Sequence, residues 1–306
     1  MCAMQMTIHK LDCWGDNEVF VLREDLIPAA CGGSKVRIAC RLIADAKAKG
    51  ADTIVGYGNS RSNLCRVLAM LCAQEGMGCT IVSPLDDGGA RVETTNSRIV
   101  RLCGAEVVVC AKGQGVSTVI ADVMAQIARG GRKPYYIFGD CHGVGNEQVL
   151  ASAYEDVAEA ICEWERERSL NFDRVVVAVG TGCTYAGLAK GFRAKSRELA
   201  VTGFTIARQL DVCRDAVSRF TDLPLDIRDD VLSGGYGMAP AEERRFLVEA
   251  MKRYSILFDP VYSGKALWGL HKLILDGGVQ NECILFIHTG SIPLAADGLE
   301  NLDGLN

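Results

Sequence analysis

Lys35 is the residue of this chain best suited to act as a nucleophile. It follows Gly32-Gly33-Ser34, and paired glycines let a backbone turn tightly and approach a bulky planar group. A run with helical spacing begins at Val36, so the lysine stands at the opening of a helix, where its amine can aim into a cleft. Burial in an apolar pocket, or beside other cations, lowers an amine's pKa and frees its lone pair for attack on a carbonyl. Alone, these residues describe an exposed lysine after a loop better than they describe a nucleophile. The weight therefore falls on segments further down the chain.

The first of these is Gly180-Thr181-Gly182-Cys183-Thr184, between a valine-rich strand and a helix. Small residues there let backbone N–H groups converge on an anion at a helix N-terminus, and the threonine hydroxyls add donors. The segment lacks the lysine of a nucleotide P-loop and the later acid of the dinucleotide fingerprint. It suits one terminal phosphate better than a diphosphate. Arg61-Ser62-Asn63 also sits at a strand-to-helix junction, where open α/β sheets bind ligands. Ser62 is equally a good helix cap. Tyr236, in Gly235-Tyr236-Gly237, and Tyr262, in the run Pro260 to Lys265, each stand in a turn beside glycine. Their hydroxyls either project or find a partner in the interior. His288-Thr289-Gly290-Ser291 follows the last strand. With four dispersed histidines and no C-x-x-C pair, no metal site is expected.

The elements that must carry these residues alternate regularly. Strands are expected at 19–22, 53–57, 79–82, 105–109, 135–138, 174–179, 200–206 and 284–287. Helices are expected at 36–49, from 63 through 71, and at 94–102, 116–128, 148–167, 185–193, 211–220, 241–254 and 265–276. Strands alternating with helices of this length indicate βαβ units and an α/β fold with mostly parallel sheets. At 306 residues the chain can form two α/β lobes facing a cleft. Residues 1–45 with 152–306 are expected as a large cofactor-binding domain and 46–151 as a small one. The net charge of −5 is mild, and no basic block suggests nucleic acid. No apolar run reaches ~18 residues and no leader is seen, so neither a membrane span nor secretion is expected. Fourteen cysteines lie scattered through apolar segments, which fits a reducing cytoplasm. Cys65 and Cys72, seven apart on one helix face, read as small buried residues.

Together these segments resemble the D-cysteine desulfhydrase and 1-aminocyclopropane-1-carboxylate deaminase family of pyridoxal-phosphate enzymes. The resemblance rests on Arg23-Glu24-Asp25 with Gly32 to Lys35, Gly58 to Asn63, Leu102 to Val107, Gly180 to Gly187, Asp259 to Lys265, and His288-Thr289-Gly290. It implies two open, twisted, mostly parallel sheets flanked by helices, the tryptophan-synthase β-like fold (fold type II of pyridoxal-phosphate enzymes). It implies a homodimer acting on a small amino acid. Lys35 looks like the Schiff-base lysine and returning general base. Thr181, Gly182, Cys183 and Thr184 look like the phosphate cradle, and Asn63 like the partner of the cofactor's phenolic oxygen. Ser62 would bind the substrate carboxylate or assist proton transfer. Tyr236 and Tyr262 look like the family's two active-site tyrosines, and Thr289 like the hydroxyl beside the pyridine nitrogen.

The deaminase branch carries an acid after the tyrosine of P-V-Y, where this chain has Ser263. A carboxylate at the pyridine nitrogen makes the ring a strong electron sink. A hydroxyl leaves it largely neutral, which suffices when a good leaving group departs from Cβ. The expectation is β-elimination giving pyruvate and ammonia. The alternatives are ring opening of aminocyclopropane carboxylate, a β-replacement synthase, or a cofactor-binding relative without turnover. Departures from the family pattern are Ser34 for asparagine, Arg61 for glutamine, Leu64 for a polar residue, Cys183 for glycine or serine, and Ser291 for glycine. Arg61 could read a second anionic group on the substrate, such as a sulfonate. Equally, it pairs with an acid of its own chain.

Overall fold

The computed structural model describes residues 5–86, 89–111, 113–232, 239–290 and 292–299. In chain order the elements are β1 (Ile8–Trp14), β2 (Asn17–Arg23), α1 (Ser34–Ala48), β3 (Thr53–Tyr57), α2 (Asn63–Gln74), β4 (Gly78–Pro84), α3 (Thr95–Leu102), β5 (Glu106–Cys110), α4 (Val116–Arg129) and β6 (Pro134–Tyr136). They continue with α5 (Glu147–Arg168), β7 (Arg174–Val179), α6 (Cys183–Ala194), β8 (Ala200–Thr205), α7 (Leu210–Ser218), β9 (Asp226–Arg228), α8 (Ala241–Tyr254), α9 (Ser263–Leu275), β10 (Cys283–His288) and α10 (Ile292–Gly298). The contacts divide the chain into two compact units, residues 1–34 with 151–306 and residues 35–150.

The larger unit is built on a six-stranded sheet of order β1-β2-β10-β7-β8-β9, parallel except for β1, which runs antiparallel to β2. Its central strands are apolar on both faces (β7 is Arg-Val-Val-Val-Ala-Val, buried from Val175 to Val179), as a parallel sheet covered by helices requires. Val176, Phe204 and Phe286 from the sheet meet Leu247 of α8 and Leu267 and Leu270 of α9 in one core. On α6, a Cβ at Gly187 would come within 2.3 Å of the Ala151 carbonyl oxygen, and one at Gly191 within 2.6 Å of the Ala158 Cβ. Two small residues one turn apart thus seat α6 directly on the backbone of α5.

The smaller unit holds a four-stranded parallel sheet of order β5-β4-β3-β6. Helix α1 buries Val36, Ile38, Ala39, Leu42 and Ala46, and Gly50 follows it at φ +73°. Ser62 caps α2 by accepting the Cys65 N–H, and Thr94 and Ser97 form a capping box on α3. Cys65 and Cys72 are buried, as their spacing implied.

The sequence analysis missed β1, β9 and α10. In β1 the burial is irregular and much of the strand is exposed, so no period of two shows through. β9 has only three residues. Among the described residues no helix is long and apolar enough to cross a membrane.

Candidate active site

Each unit gathers its own set of the residues that the sequence singled out. In the larger unit, Gly180 to Thr184 lies at the carboxyl end of β7 and opens α6. The cap residue Gly182 is left-handed at φ 96°, and no side chain caps the helix. A Cβ there would meet Val217 Cγ2 at 2.7 Å. Thr184 and Cys183 are buried, and the Thr181 hydroxyl lies 3.3 Å from the Cys183 sulfur. First-turn amides, a positive helix end and flanking hydroxyls make a cradle for a phosphate monoester.

Tyr262 stands over the start of this loop. A Cβ on Gly180 would touch its ring at 3.4 Å. Its backbone is fixed by Asp259, a fully buried acid to which sequence reasoning gave no role. The Asp259 carboxylate accepts N–H bonds from Val261 (3.1 Å), Tyr262 (2.6 Å) and Ser263 (3.0 Å), and the Ser263 hydroxyl at 2.5 Å. Burial pushes the Asp259 carboxyl up, and these donors oppose that shift. An acid placed just ahead of a helix start was the available signal.

Thr289 and Gly290 are held against the glycines that precede Lys35. The Ser34 N–H donates to the Thr289 carbonyl at 2.8 Å, and the Gly33 N–H to the Glu24 carbonyl at 2.8 Å. Glu24 is buried, and its carboxylate accepts the Tyr154 hydroxyl at 3.0 Å. Behind the loop, burial lowers the His288 pKa, with Asp25 pulling the other way. Neutral His288 accepts the Gly290 N–H on Nδ1 (3.1 Å) and faces the Leu257 carbonyl through Nε2 (3.1 Å). That pattern fixes the Nε2–H tautomer. Burial raises the Asp25 carboxyl, but a bidentate contact from Arg23 outweighs it and holds it below its usual value.

In the smaller unit Lys35 is half-buried in the first turn of α1, and its amine meets no acceptor among the described residues. Ser62 is the α2 cap, as its bland reading had it. Asn63 is buried at the first position of α2. Its Oδ1 accepts from Asn96 Nδ2 at 3.0 Å, and the same Nδ2 reaches the Arg61 carbonyl at 3.0 Å. Asn96 was not found from the sequence, since a mid-chain asparagine carries no local signal. The Arg61 guanidinium lies 3.8 Å from Asp86, a buried acid that also takes the Ser60 hydroxyl and the Val92 N–H, each at 2.8 Å. Of the two readings of Arg61, pairing with an acid of its own chain is the one present. Tyr236 lies outside the described residues, as does Ser291.

These features fit pyridoxal phosphate. In the larger unit the uncapped helix end suits its phosphate and a half-buried threonine hydroxyl suits its ring nitrogen; in the smaller unit a half-buried lysine, with no acceptor among the described residues, suits its aldehyde.

Comparison with known proteins agrees. The sequence pattern that defines the family described as "pyridoxal-phosphate dependent enzyme" matches residues 7–290. The D-cysteine desulfhydrase of Serratia proteamaculans is 31% identical over 307 residues, covering 94% of this chain and 90% of that protein. The D-cysteine desulfhydrase of Yersinia enterocolitica is 32% identical over 308 residues, with the same coverage. Among solved structures, an ACC deaminase homologue superposes with TM-score 0.81 at 26% identity, over 94% of this chain and 89% of that one. An O-ureido-L-serine synthase shares the fold, with TM-score 0.68 at 19% identity over 98% and 92% of the two chains.

Proposed function

Because this chain belongs to the pyridoxal-phosphate dependent enzyme family, we propose that it is a lyase performing β-elimination on a small β-substituted amino acid, with D-cysteine as the first substrate to test. The observation that carries this reading is the pairing of Ser263 with Asp259. The serine hydroxyl that replaces the acid of ring-opening relatives is spent on a buried carboxylate, which is itself saturated by backbone donors. Thr289 is then the partner on offer for the ring nitrogen. A neutral ring suffices to expel a thiolate from Cβ, whereas opening an unactivated cyclopropane demands more.

Pyridoxal phosphate, when bound, supplies the electron sink that stabilises negative charge at the substrate Cα. Lys35 would hold its aldehyde group and would take the proton from the substrate Cα. The Thr181 to Thr184 loop would hold the phosphate, and Asn63, whose Oδ1 is held by Asn96, would donate to the phenolic oxygen. Ser62 would meet the substrate carboxylate, while Arg61 is paired with Asp86. Tyr262 and Tyr236 complete the set. Sulfide leaves Cβ with its bonding pair, and water releases pyruvate and ammonia. The domain with the phosphate loop is the cofactor-binding one, and the enzyme works as a homodimer in the cytoplasm. Supporting that setting are thirteen free cysteines among the described residues.

The test is a product assay. D-cysteine should yield pyruvate, sulfide and ammonia in equal amounts. Formation of 2-oxobutyrate from aminocyclopropane carboxylate, with no pyruvate from D-cysteine, would overturn the assignment.

A further inference from the structure

A cavity of about 600 Å³ opens in the larger unit, at the amino ends of β8 and β9. The phosphate loop follows the carboxyl end of β7 in the same parallel sheet, so the two lie at opposite ends of the strands. The size is that of a small-molecule site. Its floor is rigid. Tyr185 and Phe192 of α6 are buried, and the Tyr185 hydroxyl accepts the Asp226 N–H at 2.9 Å. Its wall is apolar yet solvent-facing, with Leu199, Leu223 and Leu225 all half-exposed around it.

Four side chains carry charge at this cavity. Arg197 is spent on Glu165 (2.9 Å) and the Phe172 carbonyl (2.6 Å). Asp226 is spent on Thr202 (2.6 Å) and Arg174 (3.5 Å). The remaining two, Arg193 and Glu198, are exposed, opposite in sign, and without a side-chain partner among the described residues. An apolar trough bordered by one spare cation and one spare anion matches a ligand with a carboxylate, an ammonium and a hydrocarbon side chain.

The geometry points to a binding site for a free apolar α-amino acid in this cavity, with its carboxylate on Arg193, its ammonium toward Glu198 and its side chain against Leu199 and Leu223. Helix α6 begins at the phosphate loop and ends at Phe192 and Arg193, so one rigid element touches both places. The site is independent of the reaction proposed above, and its test does not require turnover.

Isothermal titration of the cofactor-loaded enzyme with L-leucine should show binding that leaves the cofactor's visible absorbance unchanged. Isocaproate and isopentylamine, each lacking one charge, should bind at least about tenfold more weakly. Arg193→Gln and Glu198→Gln should each weaken leucine by about tenfold, and Leu223→Trp should abolish binding. All three variants should keep the wild-type cofactor spectrum. No heat with leucine, heat accompanied only by a spectral change of the cofactor, or equal affinity in the charge variants would each overturn the proposal. So would a changed oligomeric state in Leu223→Trp without leucine binding to the wild type, because a second copy would then be the occupant.

Discussion

Gly290 lies so close to Gly33 that a Cβ on it would come within 2.3 Å of the Gly33 Cα. Gly290 is also left-handed at φ +89°. A side chain there is strained twice, once in its own backbone and once against the strand of chain that leads into Lys35. Gly290→Ala should cost about 3 kcal/mol or more, read as a lower urea midpoint. Loss of cofactor should accompany it. A variant as stable as the wild type would show that the two loops can part freely.

Removing the lysine proposed as the nucleophile tests the chemistry without touching the fold. Lys35 is half-buried and bonded to no acceptor among the described residues, so Lys35→Ala should unfold at nearly the wild-type denaturant concentration. It should lose the borohydride-reducible adduct and all turnover. An adduct that survives in this variant would move the reactive amine elsewhere.

Gly182→Ala addresses the phosphate. The added methyl meets Val217 Cγ2 at 2.7 Å and forces an alanine to φ 96°. The first-turn amides of α6 must then shift, and cofactor affinity should fall by about tenfold or more, with unchanged far-ultraviolet dichroism. Fluorescence titration of the cofactor-free protein measures it.

Asn96 holds two neighbours with one amide. Asn96→Ala leaves the Arg61 carbonyl and Asn63 Oδ1 short of a donor in the interior, at a cost of about 1–3 kcal/mol. The expected kinetic signature is a larger KM with a smaller change in kcat. The reverse pattern would place Asn96 nearer to the proton transfer.

Glu243 gives a pH dependence. It is fully buried, and neither carboxyl oxygen has a hydrogen-bond partner among the described residues. Burial pushes its pKa from 4.5 up to about 7, with Lys265 pulling it down and Asp259 adding to the rise. The native state therefore keeps a proton that the unfolded chain gives up, so stability falls as pH rises from 4.5 to about 7 and is level above that. The full span is worth roughly 3 kcal/mol. Glu243→Gln should remove that slope and be the more stable protein at pH 8. Parallel stability curves for the two proteins would refute the assignment.

How far the sequence could be read depended on whether a signal was local. Helices with a clean apolar stripe and caps, such as α2 and α3, and strands buried on both faces, such as β7, are written in consecutive residues. The anion loop is equally local, because glycines and hydroxyls must be contiguous to expose N–H groups. Asp259, Asn96 and Asp86 act across distances in sequence or through backbone amides, and composition does not mark such partners. Arg61 shows the limit. Its type suggested a ligand contact, and only the placement of Asp86, twenty-five residues on, revealed its mate. β1 was invisible because its pairing with β2, not its own pattern, defines it.

The seam between α5 and α6 has a consequence for how such a chain can drift over generations. Tyr154 stands where a methyl on Gly187 would land, at 2.7 Å from its Cβ. The same tyrosine grips Glu24, and the Glu24 carbonyl anchors Gly33, two residues before Lys35. Enlarging position 187 would thus be felt, through three unbroken links, by the glycine turn that leads into Lys35. Lineages can trade oily residues across most of the interior, but at this joint inheritance is a matter of bulk.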